Sequence, residues 1–344
     1  MKSMRAIAAI LYGLVTDLRR FCYDRKILKT YHSALPVVSV GNLTAGGNGK
    51  SPFVQFLASE LLARGFRPVI LLRGYRGSLS GPHRVSSNDT VATVGDEALM
   101  HLRHFDSRLP IVVARRRAEG ARFIESANLG NIIILDDGFQ HRALDRQCDL
   151  VLWALSDSSP EEELRAARLL PLGLLRERIK PALKRAKALI WVSKGRQVVQ
   201  SYSAAVGLKQ LHFELVPIGL RDVFSGDTQP IRGMSEQTYK IITSIAVPQS
   251  FKTLVESECG GHVEAIFSKR DHDTFSIGEW RSFVSRNRGV ALCTEKDEEK
   301  LRPFLSGPGE LYSVRMQGRL MEDMNEFFAI LGAGSLERTA VSNF

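Results

Sequence analysis

A glycine-rich segment between a predicted strand and a predicted helix constrains the fold of this 344-residue chain more than any other feature. The run PVVSV at 36–40, read as a short buried strand, leads into GNLTAGGNGKS at 41–51. The segment after it places its apolar residues on one helical face. Strand, glycine-rich turn, Gly-Lys-Ser and helix form the context of a phosphate-binding loop, where backbone N–H groups and the helix N-terminus hold phosphate oxygens. The segment therefore predicts nucleotide binding.

The loop motif also predicts roles for single residues. Lys50 is expected to reach the terminal phosphates, and the hydroxyl of Ser51 is expected to bind Mg²⁺. The candidate nucleotide-binding residues are Gly46, Gly47, Asn48, Gly49, Lys50 and Ser51. The strict motif has Gly where this chain has Thr44, and the alternative is a glycine-rich connection in an ordinary α/β protein.

Two further acidic positions follow predicted strands. The run at 132–135 ends in Asp136 and Asp137, and an Asp at the end of a neighbouring strand commonly holds the magnesium of a phosphate-loop protein. One of the two could instead cap the next turn. Asp96 opens a helical stretch after a strand and loop on the expected phosphate side of the sheet, although an Asp there is usually a cap.

Seven strings along the chain carry a resemblance to a known family. They are VGNLTAGGNGKSP (40–52), RGYRG (73–77), VGDE (94–97), LDDGFQHRAL (135–144), LLPLGLLRE (169–177), RDH (270–272) and TEKD (294–297). In their order and spacing the chain resembles the tetraacyldisaccharide 4′-kinases of lipid A biosynthesis. These enzymes phosphorylate the 4′-hydroxyl of an acylated glucosamine disaccharide 1-phosphate. The resemblance also accounts for Thr44, because this family's phosphate-binding loop has the same departure from the strict motif.

The resemblance implies ATP and Mg²⁺ as cofactors, and a role for each matching residue. The implied catalytic residues are Asp96 as base, His272 as the group that orients it, and Lys50. The implied metal ligands are Ser51, Asp136, Asp137 and Glu177, and the implied substrate-binding residues are Tyr75, Arg117 and Arg176. Without the resemblance, His272 reads as a surface histidine between two aspartates, and residues 295–297 read as a solvated helix start. At 244–248 the chain has SIAVP where the family tends to have GIGNP, which predicts a repacked loop there.

The alternation of elements predicts an α/β fold: a P-loop NTPase-like parallel sheet with helices on both faces, plus a second, smaller α/β domain joined by a β-ribbon linker. We assign residues 1–210 to the first domain and 211–317 to the second. Residues 318–344 are expected to form a C-terminal helix that packs back on the first domain. The active site is then expected in the cleft, with domain closure around the nucleotide.

Charge is concentrated at the N-terminus. The chain carries 47 Lys and Arg against 37 Asp and Glu, and residues 1–30 hold half of this excess of +10. Their apolar residues recur at helical spacing, which predicts an amphipathic helix. This helix either docks on the protein's own core or lies in an anionic membrane interface. No apolar run approaches the roughly 20 residues of a membrane-spanning helix.

The leading interpretation is a kinase acting on an acylated disaccharide 1-phosphate lipid. We expect a monomer bound peripherally to the anionic leaflet at the cytoplasmic face of the bacterial inner membrane. One alternative is a P-loop NTPase switch or metallochaperone-like GTPase, although TEKD at 294–297 only partly imitates a guanine-recognition motif. A nucleic-acid-binding ATPase is supported by charge alone, and we expect no nucleic-acid partner.

Overall fold

The computed structural model describes residues 2–47, 49–155, 159–195, 206–231, 237–271 and 273–332. Within these ranges the strands join into one sheet. The strands are β1 (Val37–Asn42), β2 (Pro68–Leu72), β3 (His83–Arg84), β4 (Ile111–Val113), β5 (Ile132–Asp136), β6 (Cys148–Ala154), β7 (Ala188–Lys194), β8 (Lys209–Asp222), β9 (Thr228–Gln229), β10 (Thr238–Thr243), β11 (His262–Ser268), β12 (Val290–Thr294) and β13 (Tyr312–Leu320). The helices are α1 (Lys2–Asp24), α2 (Lys50–Ala63), α3 (Val91–Val94), α4 (Asp96–His104), α5 (Arg117–Ser126), α6 (Pro160–Ala166), α7 (Ile179–Leu183), α8 (Pro248–Glu258), α9 (Ile277–Arg286), α10 (Glu298–Leu301) and α11 (Met324–Leu331), with a 3₁₀ turn at Arg302–Phe304.

The first half of the chain forms a parallel sheet covered on both faces. Its order is β7-β6-β1-β5-β2-β4-β3, and only the short edge strand β3 runs antiparallel. Helices α2 and α4 pack on one face and α5 on the other, because successive residues of each buried strand point to opposite sides. The sequence pattern does not predict β3, because a strand of two residues is too short to show a periodicity.

The second half repeats this arrangement on a smaller scale. Strands β11, β10, β12 and β13 are mutually parallel, with α8 packed on one face and α9 on the other. The long strands β8 and β13 pair antiparallel and connect the two halves as a ribbon. The predicted fold class is therefore confirmed.

Because β8 and β13 are antiparallel, the carboxyl ends of the parallel strands in the two halves point toward each other. Lys194 at the carboxyl end of β7 pairs with Leu215 of β8, whereas Thr294 at the carboxyl end of β12 pairs with Val314 of β13. Val314 in turn lies opposite Leu220 of β8. The two carboxyl edges thus approach from opposite directions, separated by about 17 Å along β8 at 3.3 Å per residue. Loops from both halves converge on the space between them.

The C-terminal segment differs from its prediction at the start. Residues 318–320 belong to β13 rather than to a helix, and the helix begins at Met324. Gly318 faces Phe213, and a Cβ there would lie 2.0 Å from the ring, so this strand contact requires glycine. Helix α11 packs Phe327 against Phe53 of α2. Residues 333–344 of the predicted helix lie outside the described residues.

Helix α1 contacts the rest of the protein through a narrow face. Among residues 4–24, Ala9 and Gly13 are the buried ones, and a Cβ at Gly13 would lie 3.0 Å from the side chain of Leu169. The apolar face points outward, with these residues at least 57% exposed: Ile7, Ile10, Leu11, Leu14, Val15 and Leu18. The interpretation in which this face docks on the protein's own core is therefore wrong. In the part of the chain that the structure describes, no helix is long and apolar enough to span a membrane.

Candidate active site

A cleft of about 1050 Å³ lies between the facing sheet edges. Most of the predicted site residues line it, namely Gly46, Gly47, Gly49, Lys50, Ser51, Tyr75, Arg117, Asp136, Asp137, Arg176 and Glu177. The second half contributes Thr294, Glu295 and Lys296 from the end of β12, and residues 245–247 from the end of β10. The parallel strands β1, β5 and β2 lie side by side, so the segments after them meet at one edge.

The glycines of the loop serve two different purposes. Gly49 has φ of 71°, and a Cβ there would lie 2.8 Å from Val192, so both conformation and packing require glycine. A Cβ at Gly46 or Gly47 would meet no atom within 4 Å. These two positions therefore leave backbone open to the cleft, as phosphate binding requires. Asn48 lies outside the described residues.

The first part of the loop is held by the segment that precedes Arg176. The N–H of Ala45 donates to the carbonyl oxygen of Leu174 at 2.7 Å, and the N–H of Arg176 donates to the carbonyl oxygen of Leu43 at 2.7 Å. The phenol of Tyr12 on α1 donates to the carbonyl oxygen of Arg176 at 2.9 Å. Helix α1, residues 174–176 and the phosphate-binding loop therefore form one continuous set of contacts.

Asp137 is held by two cations. Arg176 donates to both of its carboxylate oxygens, at 2.9 and 3.1 Å, and Lys50 Nζ lies 3.7 Å from Oδ1. Burial favours the neutral acid, but Lys50 and Arg176 outweigh it and lower the pKa of Asp137 below its ordinary value. Asp137 thus stays ionised and fixes the side chains of Lys50 and Arg176 at the mouth of the loop.

Asp136 and Ser51 provide the donors that fit a magnesium ion. Both line the cleft, and Asp136 is buried at the end of β5, level with Val40 of the loop strand. Magnesium usually takes one or two protein ligands and completes its shell with water and phosphate oxygens. Across the described ranges no group of three or more His, Cys, Asp or Glu side chains is placed to hold a metal. A site completed by nucleotide phosphates therefore fits better than a cage made by protein alone.

Glu177 lies in a tight polar cluster at the rim of the cleft. Arg185 donates to both of its oxygens, at 3.0 and 3.1 Å, and Gln140 lies 3.3 Å from Oε1. This carboxylate is thus already neutralised by one arginine. Its predicted role as a metal ligand requires that a metal compete with Arg185, or that the ion bind through water.

Cationic side chains dominate the phosphate side of the cleft. Burial, and secondarily Arg73, lowers the pKa of Arg117 to about 10. Burial followed by Arg117 and Arg146 lowers the pKa of His141 to about 4, so this histidine is neutral at pH 7. Such a concentration of positive charge in a partly closed space favours an anionic ligand such as a phosphate chain.

Asp96 lies beside this cleft rather than among its lining residues. It is 3% exposed and borders an adjoining cavity of about 850 Å³, whereas Tyr75 lines both spaces. Its neighbour Gly95 has φ of 87°, and a Cβ there would lie 2.6 Å from the carbonyl oxygen of Tyr75. Close packing therefore positions the start of α4. His272 lies outside the described residues.

The structure reveals three polar residues near the site that sequence reasoning missed. His101 contacts Asp136 at 3.0 Å, and Lys300 contacts Asp96 at 2.7 Å. Lys194 lines the cleft at the end of β7, and burial lowers its pKa. The only sequence signal was the position of Lys194 directly after a buried strand. His101 and Lys300 stand in ordinary helical stretches.

The segment at 295–297 is not the solvated helix start that one interpretation allowed. The carboxylate of Asp297 is fully buried and accepts hydrogen bonds from the hydroxyls of Thr243, Ser244 and Thr294, each at 2.7 Å. Asp297 does precede α10, but its side chain faces the interior because it joins the ends of β10 and β12. The predicted exposure of Asp297 to solvent is therefore wrong, whereas the predicted start of a helix at this point is confirmed by α10.

Comparison with known proteins gives a consistent result. The family model for tetraacyldisaccharide-1-P 4′-kinase matches residues 1–332. A tetraacyldisaccharide 4′-kinase of Chlorobium luteolum is 35% identical over 315 residues, covering 86% of this chain and 85% of the relative. One from Aeromonas salmonicida is also 35% identical, over 298 residues, covering 86% and 83%. A crystal structure of an Aquifex aeolicus protein in complex with ATP has a TM-score of 0.75 and 26% identity, covering 96% of this chain and 98% of that one.

Proposed function

Because the chain belongs to the tetraacyldisaccharide-1-P 4′-kinase family, we infer that its cleft transfers phosphate from ATP to a lipid A precursor. The chain is an ATP-dependent kinase that phosphorylates the 4′-hydroxyl of an acylated glucosamine disaccharide 1-phosphate. The observation that carries this is the cleft itself, where a Gly-Lys-Ser loop, Asp136 and several cations meet. The alternative of a GTPase switch without a small-molecule acceptor is not favoured.

We propose that the reaction relies on alignment and charge neutralisation. Gly46, Gly47, Asn48 and Gly49 hold the phosphate chain, and Lys50 neutralises charge on the terminal phosphate. The 4′-oxygen attacks the γ-phosphorus, the bond to the bridging oxygen breaks, and ADP leaves with that electron pair. Ser51 and Asp136 would hold a magnesium ion, which would supply positive charge against the negative charge that develops on the phosphate oxygens.

We propose that Asp96 accepts the proton of the 4′-hydroxyl, with His272 orienting it. The position of Asp96 beside Tyr75 supports this assignment, because Tyr75 borders both the cleft and the adjoining cavity. Tyr75, Arg117 and Arg176 would bind the substrate or the transferred phosphate. Ser51 and Asp136 would hold the metal, with Asp137 and Glu177 supporting it.

The proposed domain division assigns residues 1–210 to the nucleotide-binding domain and 211–317 to the smaller one. Four ion pairs connect these two ranges and support their close approach. They include Arg76 with Asp273 at 2.8 Å and Lys296 with Glu97 at 3.8 Å. We propose that nucleotide binding changes this approach. Equal interdomain distances in solution with and without nucleotide would contradict the closure.

We propose that α1 lies in the anionic cytoplasmic leaflet of the inner membrane. Its exposed apolar face and its flanking basic residues support this, because both terms contribute to binding at a lipid interface. The contact of Tyr12 with Arg176 would place the cleft close to the lipid surface. We also propose that the protein acts as a monomer.

One assay tests the function. Purified protein is incubated with labelled ATP, Mg²⁺ and acylated disaccharide 1-phosphate in detergent micelles, with Lys50→Met as a matched control. We expect a bis-phosphorylated lipid from the wild-type protein and little from the variant. Nucleotide hydrolysis without labelled lipid would contradict the kinase assignment and favour an NTPase switch.

A further inference from the structure

A buried polar chain connects the second half of the protein to the start of α4. Lys300 on α10 places Nζ 2.7 Å from Oδ2 of Asp96, and both side chains are almost completely buried. Lys300 also donates to the hydroxyl of Ser244 at 2.8 Å. That hydroxyl donates to Oδ1 of Asp297 at 2.7 Å, so the chain of contacts has a defined direction.

Asp297 anchors the far end of this chain. Its carboxylate also accepts the N–H of Ser244 at 3.1 Å and the hydroxyls of Thr243 and Thr294. Four donors satisfy this charge without Lys300, whose Nζ lies 3.8 Å away. The Lys300 ammonium is therefore left to pair with Asp96, at a distance where the two charges are in direct contact.

We propose that Lys300 is a positioning residue for Asp96, held in place by Ser244 and Asp297. This rests on the proposed function, in which Asp96 is the base. A cation at 2.7 Å favours the ionised carboxylate that a base requires, and it fixes one carboxylate oxygen. The N–H of Glu97 fixes the other oxygen at 2.9 Å.

The proposal gives a role in catalysis to two segments that so far only line the cleft. The SIAVP segment supplies Ser244, whose hydroxyl lies between Lys300 and Asp297, and a glycine there would leave that place empty. The TEKD segment supplies Asp297, whose buried carboxylate accepts the hydrogen bond from Ser244. The pair Asp96–Lys300 joins the two halves of the protein, so its geometry depends on how they approach. Turnover then depends on Lys300, which borders the adjoining cavity and not the cleft that contains the phosphate-binding loop.

A double-mutant cycle separates positioning from a purely structural role. The variants are Lys300→Met, Asp96→Asn and the double variant, with Lys300→Arg as the conservative replacement. Lys252→Met is the control, since it removes a lysine from a partly buried ion pair of the same half, away from Asp96. We expect Lys300→Met to lower kcat by on the order of tenfold to a hundredfold, because small displacements of a reacting group cost that much. The KM for ATP should change less than about twofold, and Lys300→Arg should recover most of the rate.

The cycle has distinct outcomes. If Lys300 acts through Asp96, adding Lys300→Met to Asp96→Asn should lower kcat little further. An equal loss in both backgrounds, or wild-type kcat in Lys300→Met, overturns the positioning role alone. Wild-type kcat in Asp96→Asn overturns the base assignment together with this inference. Should Lys300→Met fail to fold, Ser244→Ala keeps both charges; lowered kcat with unchanged KM for ATP supports the role, and wild-type kcat overturns it.

Discussion

Nε2 of His101 lies 3.0 Å from Oδ2 of Asp136, and both side chains are buried. A carboxylate oxygen accepts, so Nε2 of the ring carries a proton and donates it to Asp136. This hydrogen bond fixes one oxygen of a carboxylate that also lines the cleft. Groups that orient a metal-binding carboxylate in this way influence metal affinity without touching the metal.

Replacing His101 is therefore expected to weaken magnesium binding more than nucleotide binding. For His101→Leu, the magnesium concentration for half-maximal activity should rise by about tenfold or more. His101→Gln keeps a donor and should lose less. Binding of Mn²⁺ in the presence of ATP, followed by electron paramagnetic resonance, measures the same affinity without turnover. Identical metal affinities in wild type and His101→Leu would contradict the orienting role.

Asp297 is expected to contribute strongly to stability. Asp297→Asn replaces a carboxylate that accepts four hydrogen bonds by an amide, which turns N–H groups toward donors. The free energy of unfolding should fall by about 3 kcal/mol, as when a buried charge network loses a member. Urea denaturation measures the loss. Glu161→Gln on the exposed face of α6 serves as control and should stay within about 0.5 kcal/mol of wild type.

His141 is expected to make the protein less stable in acid. Its pKa in the folded state is about 4, below the ordinary value of 6.5, because of burial and nearby arginines. Its contribution is therefore fully present above pH 6.5 and is lost as the pH falls toward 4. At about 1.4 kcal/mol per pH unit, wild type should lose about 2 kcal/mol more than His141→Gln between pH 7 and pH 5.

Urea denaturation at both pH values measures this difference. His32→Gln, which alters an exposed histidine, is the control and should follow the wild-type pH dependence. Parallel pH dependences for wild type and His141→Gln would show that the protonation of His141 does not limit stability in this range.

Negative charge on the outer face of α1 is expected to weaken membrane association. Leu14→Glu with Leu18→Glu removes two exposed leucines, each worth about 1.5–3 kcal/mol on burial in lipid. Sedimentation with vesicles containing anionic lipid should fall by more than about tenfold. Ile277→Glu places one such charge on an exposed apolar site of α9 and should leave sedimentation unchanged. Unaltered sedimentation of the α1 variant would refute the interfacial orientation.

The sequence predicts the local elements of this site better than the contacts between them. Buried strands and the Gly-Lys-Ser loop carry short-range patterns, so β1, β5 and α2 were predictable. The pairing of Lys300 with Asp96 joins two halves of the chain, and no local pattern encodes it. For helix α1 the sequence predicts the amphipathic helix but not what covers its apolar face, since the same periodicity fits a helix packed on protein and one packed on lipid. Only the fold reveals that Leu14 faces outward.

The position of α11 bears on the order in which the protein is completed during synthesis. Phe327 and Phe328 pack in the same core as Phe53 of the nucleotide-binding helix, together with Phe213 of the ribbon. When residues 1–210 have left the ribosome, that core still lacks three of these rings. The phosphate-binding loop therefore gains its full support only when α11 emerges, and a nascent chain truncated before Met324 is expected to bind nucleotide poorly.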